Sequence, residues 1–285
     1  MKKTGIFYHE IFDKEGYKAL YVTVAAGFEA IKNENFLKLP NIALYKPKPA
    51  SEELILKVHT KRWVEEVKNT GYYNVSLYTV GAAVEALEKI LVGEIDNALV
   101  FGGVGGHHAH ADYAWGGCFF NPTAVALKFA REKFKLGKVM IVDTDTHHAD
   151  GTRDLLLNDD KTLHICYCGY GKTVNETKIC FNQASSDEDF LEKLSTDLPP
   201  LIVKFKPEII LWKCGMDTHK DSYGTRRLTE KCYPKMAKII KRFADENCNG
   251  KIIVGVACNA PAYVSSYTCP RILDCLAETG KYVED

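Results

Sequence analysis

The chain has 285 residues, 46% of them apolar, enough for a sizeable core in one large domain or two smaller ones. Its 37 basic residues balance 37 acidic ones, which excludes a global electrostatic pull toward nucleic acid or an anionic membrane. Ten cysteines form no C-x-x-C pair, no secretory leader opens the sequence, and no apolar run reaches about 18 residues, so a cytoplasmic protein with free thiols and no membrane span is expected.

Short apolar, β-branched runs alternate with longer amphipathic ones. In chain order they predict a strand over residues 5–9, a helix over 17–31, a strand over 41–45, and helices over 51–68 and 78–92. A strand over 98–102, a helix over 123–133 and strands over 138–144 and 162–168 follow. A helix over 187–205, a strand over 208–213, a helix over 229–246, a strand over 251–257 and a helix over 270–279 complete the series. Ser51 and Thr229 read as helix starts, and Pro270 suits a first helical turn. Alternation of this kind predicts an α/β fold: three αβα layers around a mainly parallel sheet. No linker, charge block or repeat divides residues 1–285, which read as one domain.

Ligand crevices of open α/β sheets lie beyond the carboxyl ends of the strands. Three strand ends carry suggestive residues. After the run 98–102 come Gly102, Gly103, Gly105 and Gly106, then His107, His108 and His110. After the run 138–142 come Asp143, Asp145, His147, His148 and Asp150. In extended chain Asp143, Asp145 and His147 face one way. After the run 209–213 come Asp217, His219 and Asp221. Any one segment alone reads equally well as a turn or a helix cap. Their coincidence at three strand ends favours a divalent metal site open for catalysis, and so a metal-dependent hydrolase. Cys166 and Cys168 would point their thiols the same way from one strand, although free thiols in apolar runs more often simply pack as small hydrophobes.

These residues resemble the histone deacetylase family within the arginase–deacetylase superfamily, over roughly residues 54–276. Leu56 to Thr60 resembles "L-x-x-V-H-S", and Gly106 to Asn121 resembles "P-G-H-H-A … G-F-C-x-F-N". Asp143 to Thr152 resembles "D-x-D-x-H-H-G-x-G-T", and Cys214 to Asp221 resembles "A-G-F-D-x-H-x-x-D". The resemblance implies Asp145, His147 and Asp217 as ligands of a zinc ion, or of iron(II). It implies His107 and His108 as the acid/base pair, held by Asp143 and Asp150 respectively. The implied activity is removal of an acetyl group from an N-acetylated amine, such as a peptide acetyl-lysine or a small acetylpolyamine; neither nucleic acid nor membrane is an expected partner, and oligomeric state is left open.

The sequence also departs from the pattern. The usual oxyanion-stabilising tyrosine follows two glycines after the last strand; here residues 256–263 run Val-Ala-Cys-Asn-Ala-Pro-Ala-Tyr, so Tyr263 is the candidate, with Tyr267 in reserve. Gly117 stands where an aromatic wall of the substrate channel is expected. A glycine-rich loop is cut to residues 172–177, and Cys166 replaces a serine that helps bind a structural potassium ion, which counts against that ion. Two rivals use the same residues: an arginase-like ureohydrolase, for which Ala149 and His219 replace needed carboxylates, and a metal-binding protein without hydrolytic activity.

Overall fold

The computed structural model describes residues 1–224 and 227–282. Eight strands form one sheet: β1 (Thr4–Phe7), β2 (Ile42–Tyr45), β3 (Asn97–Phe101), β4 (Val139–Asp143), β5 (Thr162–Cys166), β6 (Lys178–Cys180), β7 (Ile209–Lys213) and β8 (Ile252–Val256). Their order is β2-β1-β3-β8-β7-β4-β5-β6, and every pairing is parallel. All residues of β3, β4 and β5 are buried, which is why they read as continuous rather than alternating apolar runs. Each fully buried aliphatic side chain there contributes about 1.5–3 kcal/mol.

Ten helices are described: α1 (Ile11–Lys14), α2 (Tyr21–Asn33), α3 (Glu52–Ile55), α4 (Lys61–Lys68), α5 (Tyr73–Leu91), α6 (Pro122–Phe134), α7 (Asp150–Leu155), α8 (Asp187–Phe205), α9 (Cys232–Cys248) and α10 (Ala262–Ala277). One layer packs α5 on α6 and α6 on α7; the other runs α2, α10, α9, α8. Helices α5 and α10 both touch β1 and β3, from opposite faces of the sheet. Among the described residues no helix is long and apolar enough to cross a membrane.

Three sequence expectations change. The helix expected over residues 51–68 is two helices, capped separately by Ser51 and Thr60, because the chain between them turns His59 into the interior. Strand β6 was not foreseen: it is three residues long and opens on a lysine, and Lys178 reaches the sheet by donating its ammonium to the carbonyls of Asp159 and Thr162. Pro270 lies inside α10 rather than in its first turn. The buried stripe of Val264, Thr268, Ile272 and Leu276 packs this helix on α2 and carries it through the proline.

The chain winds outward through β3, then crosses two strand positions to β4, and only β7 and β8 return to fill the gap. The carboxyl ends of β3, β8, β7 and β4 therefore lie side by side at the middle of the sheet, where a crevice opens.

Candidate active site

Three of those four strand ends deliver the polar cluster. The loop after β3 carries His107 and His108, the loop after β4 carries Asp145 and His147, and a single 3-10 turn after β7 carries Asp217. Glycine makes the close approach possible: a Cβ on Gly215 would sit 2.2 Å from the Asp145 Cα, and one on Gly106 would sit 2.1 Å from the Pro122 ring.

Nδ1 of His147 lies 3.0 Å from Oδ1 of Asp145 and 3.1 Å from Oδ2 of Asp217. The backbone amides of His147 and Thr146 donate to the Asp145 and Asp217 carboxylates, at 3.0 and 3.2 Å, and fix them. Oδ2 of Asp217 is buried and accepts no well-directed hydrogen bond, although the His147 ring is within ion-pairing distance. Two buried carboxylates so close together need a cation. The Lys213 ammonium, 3.8 Å from Asp145, supplies part of it while donating to the Ala257 carbonyl. Burial and the Asp145 carboxylate raise the Asp217 pKa. Hydrogen bonds to Asp145 and Asp217 push that of His147 up to about 10, so a proton on Nδ1 provides the remaining charge when no ion is bound. Ligands sharing one zinc ion through bonds of about 2.0–2.2 Å stand about 3–3.5 Å apart, and this trio fits that spacing. One imidazole and two carboxylates also suit iron(II).

Two His–Asp pairs flank the trio. Nδ1 of His107 faces Oδ2 of Asp143 at 3.1 Å, and the other oxygen of Asp143 accepts the Asp145 amide at 2.9 Å. Nδ1 of His108 faces Oδ1 of Asp150 at 2.6 Å, and the Trp115 indole donates to the second Asp150 oxygen at 2.8 Å. Each carboxylate holds a proton on Nδ1 and leaves Nε2 free for chemistry. The two imidazoles differ electrostatically. Burial pulls His107 down, but Asp145 and Asp143 outweigh it and raise its pKa. Burial lowers His108 to about 4 despite Asp150.

Tyr263 does not join this group. Its hydroxyl donates to Asp221 and its ring packs edge-on against His219, with half of the side chain exposed. Tyr267 is stacked under Arg271. The tyrosine beside the trio is Tyr223, whose ring centre is 5.4 Å from that of His147. Although much of its side chain is exposed, partial desolvation and the charges of Asp217 and Asp145 raise its pKa above the ordinary value. Two residues before Gly117, Trp115 stacks on His108 with ring centres 3.6 Å apart. Gly116 permits this: its φ is +62°, and a Cβ there would strike the His108 ring. Near the shortened loop, the Tyr170 hydroxyl accepts the His148 amide at 2.7 Å.

Sequence reasoning did not single out Trp115, Tyr223 or Lys213, which the structure places near the trio, and gave His59 little weight. Buried His59 accepts the Asn121 amide at Nε2 (3.0 Å), and its Nδ1 faces the His110 carbonyl at 2.8 Å. Asn121 in turn caps α6 and bonds the Ala109 carbonyl and the Thr152 hydroxyl. The loop bearing His107 and His108 is thus pinned from behind. Also behind it, between α5, α6 and the sheet, lies a cavity of about 90 Å³ that ends on His107, Asp143 and Lys213. Ala149 offers no ligand, and both His219 nitrogens are engaged, by the Asp221 amide and Glu230. A second carboxylate-rich metal position of the ureohydrolase kind does not assemble among the described residues.

The comparisons agree with this geometry. A family described as "Histone deacetylase domain" matches residues 21–257. A "Probable deacetylase" of Archaeoglobus fulgidus is 27% identical, over 88% of this chain and 79% of its own length. A "Histone deacetylase-like amidohydrolase" of Pseudomonas aeruginosa is 25% identical, over 72% of this chain and 63% of that protein. The acetoin utilization protein AcuC of Staphylococcus aureus is 26% identical, over 79% of this chain and 68% of that protein. The crystal structure of the HDA15 HD domain shares the fold, with a TM-score of 0.87 at 18% identity over 97% of this chain and 88% of that one. With the matched region spanning most of its sheet and all three site-bearing strand ends, the chain belongs to the histone deacetylase family.

Proposed function

We propose that this deacetylase-family protein is a metal-dependent amidohydrolase that removes an acetyl group from an N-acetylated amine, either an acetyl-lysine side chain or an acetylpolyamine. The observation that carries the reading is the convergence of Asp145, His147 and Asp217 between two His–carboxylate pairs. Asp145, His147 and Asp217 would hold one zinc or iron(II) ion. Such an ion polarises the amide carbonyl and acidifies the attacking water.

The protein's own groups supply the rest. His107 and His108 each keep Nε2 available, one to take the proton of the attacking water and one to protonate the leaving amine. Asp143 and Asp150 fix the tautomers and offset the positive charge that forms. Tyr223, whose ring packs against that of His147, takes the oxyanion-stabilising role expected at Tyr263. Trp115 and Tyr223, both largely exposed, flank His147 and form walls against which an aliphatic amine chain can lie.

The test is metal content and turnover measured together. Purified protein is assayed for zinc and iron, then for acetate release from acetyl-lysine peptides and from acetylpolyamines. Acetate release that requires the metal supports the reading, and the preferred panel member names the substrate class. A metal-loaded protein that releases acetate from neither panel would overturn it.

A further inference from the structure

A second group of ligand-type atoms lies next to the first and shares no residue with it. Nδ1 of His148 is 3.4 Å from Sγ of Cys168 and 3.6 Å from Sγ of Cys180, and all three ligand atoms lie within 4.8 Å of one another. Tetrahedral zinc, with Zn–S near 2.3 Å and Zn–N near 2.05 Å, places sulfur and nitrogen about 3.6 Å apart. Cys166, paired with Cys180 across β5 and β6, brings a third thiol beside Cys168 and Cys180. Besides Ala149, the thiols have polar neighbours. The Gly171 amide donates to Cys168 Sγ at 3.3 Å and the Arg153 guanidinium donates to Cys180 Sγ at 3.4 Å, both of which favour thiolates. A Cβ on Gly171 would stand 2.4 Å from His148 Nδ1 and 2.8 Å from Cys180 Sγ, so the loop closes over the cluster only as glycine.

We propose that His148, Cys168 and Cys180 form a second, thiolate-rich metal site that takes zinc. Two sulfurs and one imidazole select a borderline-to-soft ion and disfavour magnesium and calcium. Loading releases the thiol protons, so affinity rises with pH. The consequence is mechanical: the ion ties His148, and with it the loop holding Asp145 and His147, to the β5–β6 edge of the sheet. The role is structural, since sulfur-rich zinc sites contribute to folding rather than to hydrolysis.

Cobalt(II) reads the two sites separately, because only thiolate ligation gives an intense charge-transfer absorption in the near ultraviolet. Reducing conditions are kept throughout. The full chain loaded with cobalt is expected to show that band. The Asp145→Ala/Asp217→Ala variant is expected to keep it, and Cys168→Ser/Cys180→Ser to lose it. Should the serine variant fail to fold, the wild-type zinc protein is titrated with an organomercurial. Release of one zinc per chain in step with thiol modification supports the site. Absence of a thiolate band in the cobalt-loaded wild type, or full thiol modification without zinc release, overturns it. Neither readout depends on deacetylase activity.

Discussion

Nδ1 of His147 and Oδ2 of Asp217 lie 3.1 Å apart, although one follows β4 and the other follows β7, and that carboxylate oxygen accepts no well-directed hydrogen bond. Both point at the position an ion would take. Asp217→Ala removes one ligand and leaves the Asp145–His147 pair without its partner. The variant is expected to lose the metal of this trio and all detectable acetate release, while zinc bound by the neighbouring thiols stays. Elemental analysis of dialysed wild type and variant checks it. An unchanged metal content would remove Asp217 from the ligand set.

Placement of the two tyrosines separates their substitutions. Tyr223→Phe deletes the hydroxyl of a ring packed near His147, whereas Tyr263→Phe deletes one bound to Asp221. Loss of a single oxyanion donor costs about 10²–10³ in kcat. Tyr223→Phe is therefore expected to lower kcat by about that factor with metal content unchanged, and Tyr263→Phe to stay within severalfold of wild type. Steady-state kinetics of both variants decide between them, and the reverse order would return the role to Tyr263.

Much of this site was legible because it sits on strand ends. Buried parallel strands announce themselves as apolar runs, and the residues just beyond β3, β4 and β7 then fall at the crevice by topology. The strand ends made Asp145, His147 and Asp217 visible in the sequence, and the pairing of each histidine with its carboxylate was implied by the family resemblance. The position of Tyr223 beside the trio was not. Tyr223 lies in a loop whose path is set by tertiary contacts, among them the Ser222 hydroxyl donating to the Asn259 carbonyl. No periodicity encodes such a path, and a motif that expects the tyrosine after β8 does not look in this loop. Trp115 was hidden similarly: its stacking on His108 is a spatial contact that no sequence register announces. The α10 boundary failed because Pro270 is a strong local signal that packing against α2 overrides.

Trp115 both stacks on His108 and bonds Asp150, so it holds an acid/base pair in place from outside. Loss of such supporting partners typically costs 10–100-fold in activity. Trp115→Ala is expected to lower kcat/KM by about that factor with the metal retained. Trp115→Phe keeps the stack and drops only the hydrogen bond, and is expected to recover part of the loss. Equal activity of all three proteins would deny Trp115 any positioning role.

His59 gives the fold a pH dependence of definite sign. The buried ring is neutral, accepts the Asn121 amide at Nε2 and is held by burial at a pKa of about 4, against an unfolded value near 6.5. Between those values the unfolded chain binds more protons than the folded one, so stability is fully present above about pH 6.5 and falls as pH drops toward 4. The shift corresponds to about 3 kcal/mol from this residue. Protonation also breaks the bond to Asn121, which pins the loop carrying His107 and His108. Urea unfolding of wild type and His59→Gln at pH 7 and pH 5 checks it. The variant is expected to be less stable at pH 7 but to lose less on acidification, and parallel losses in the two proteins would assign the acid sensitivity to other groups.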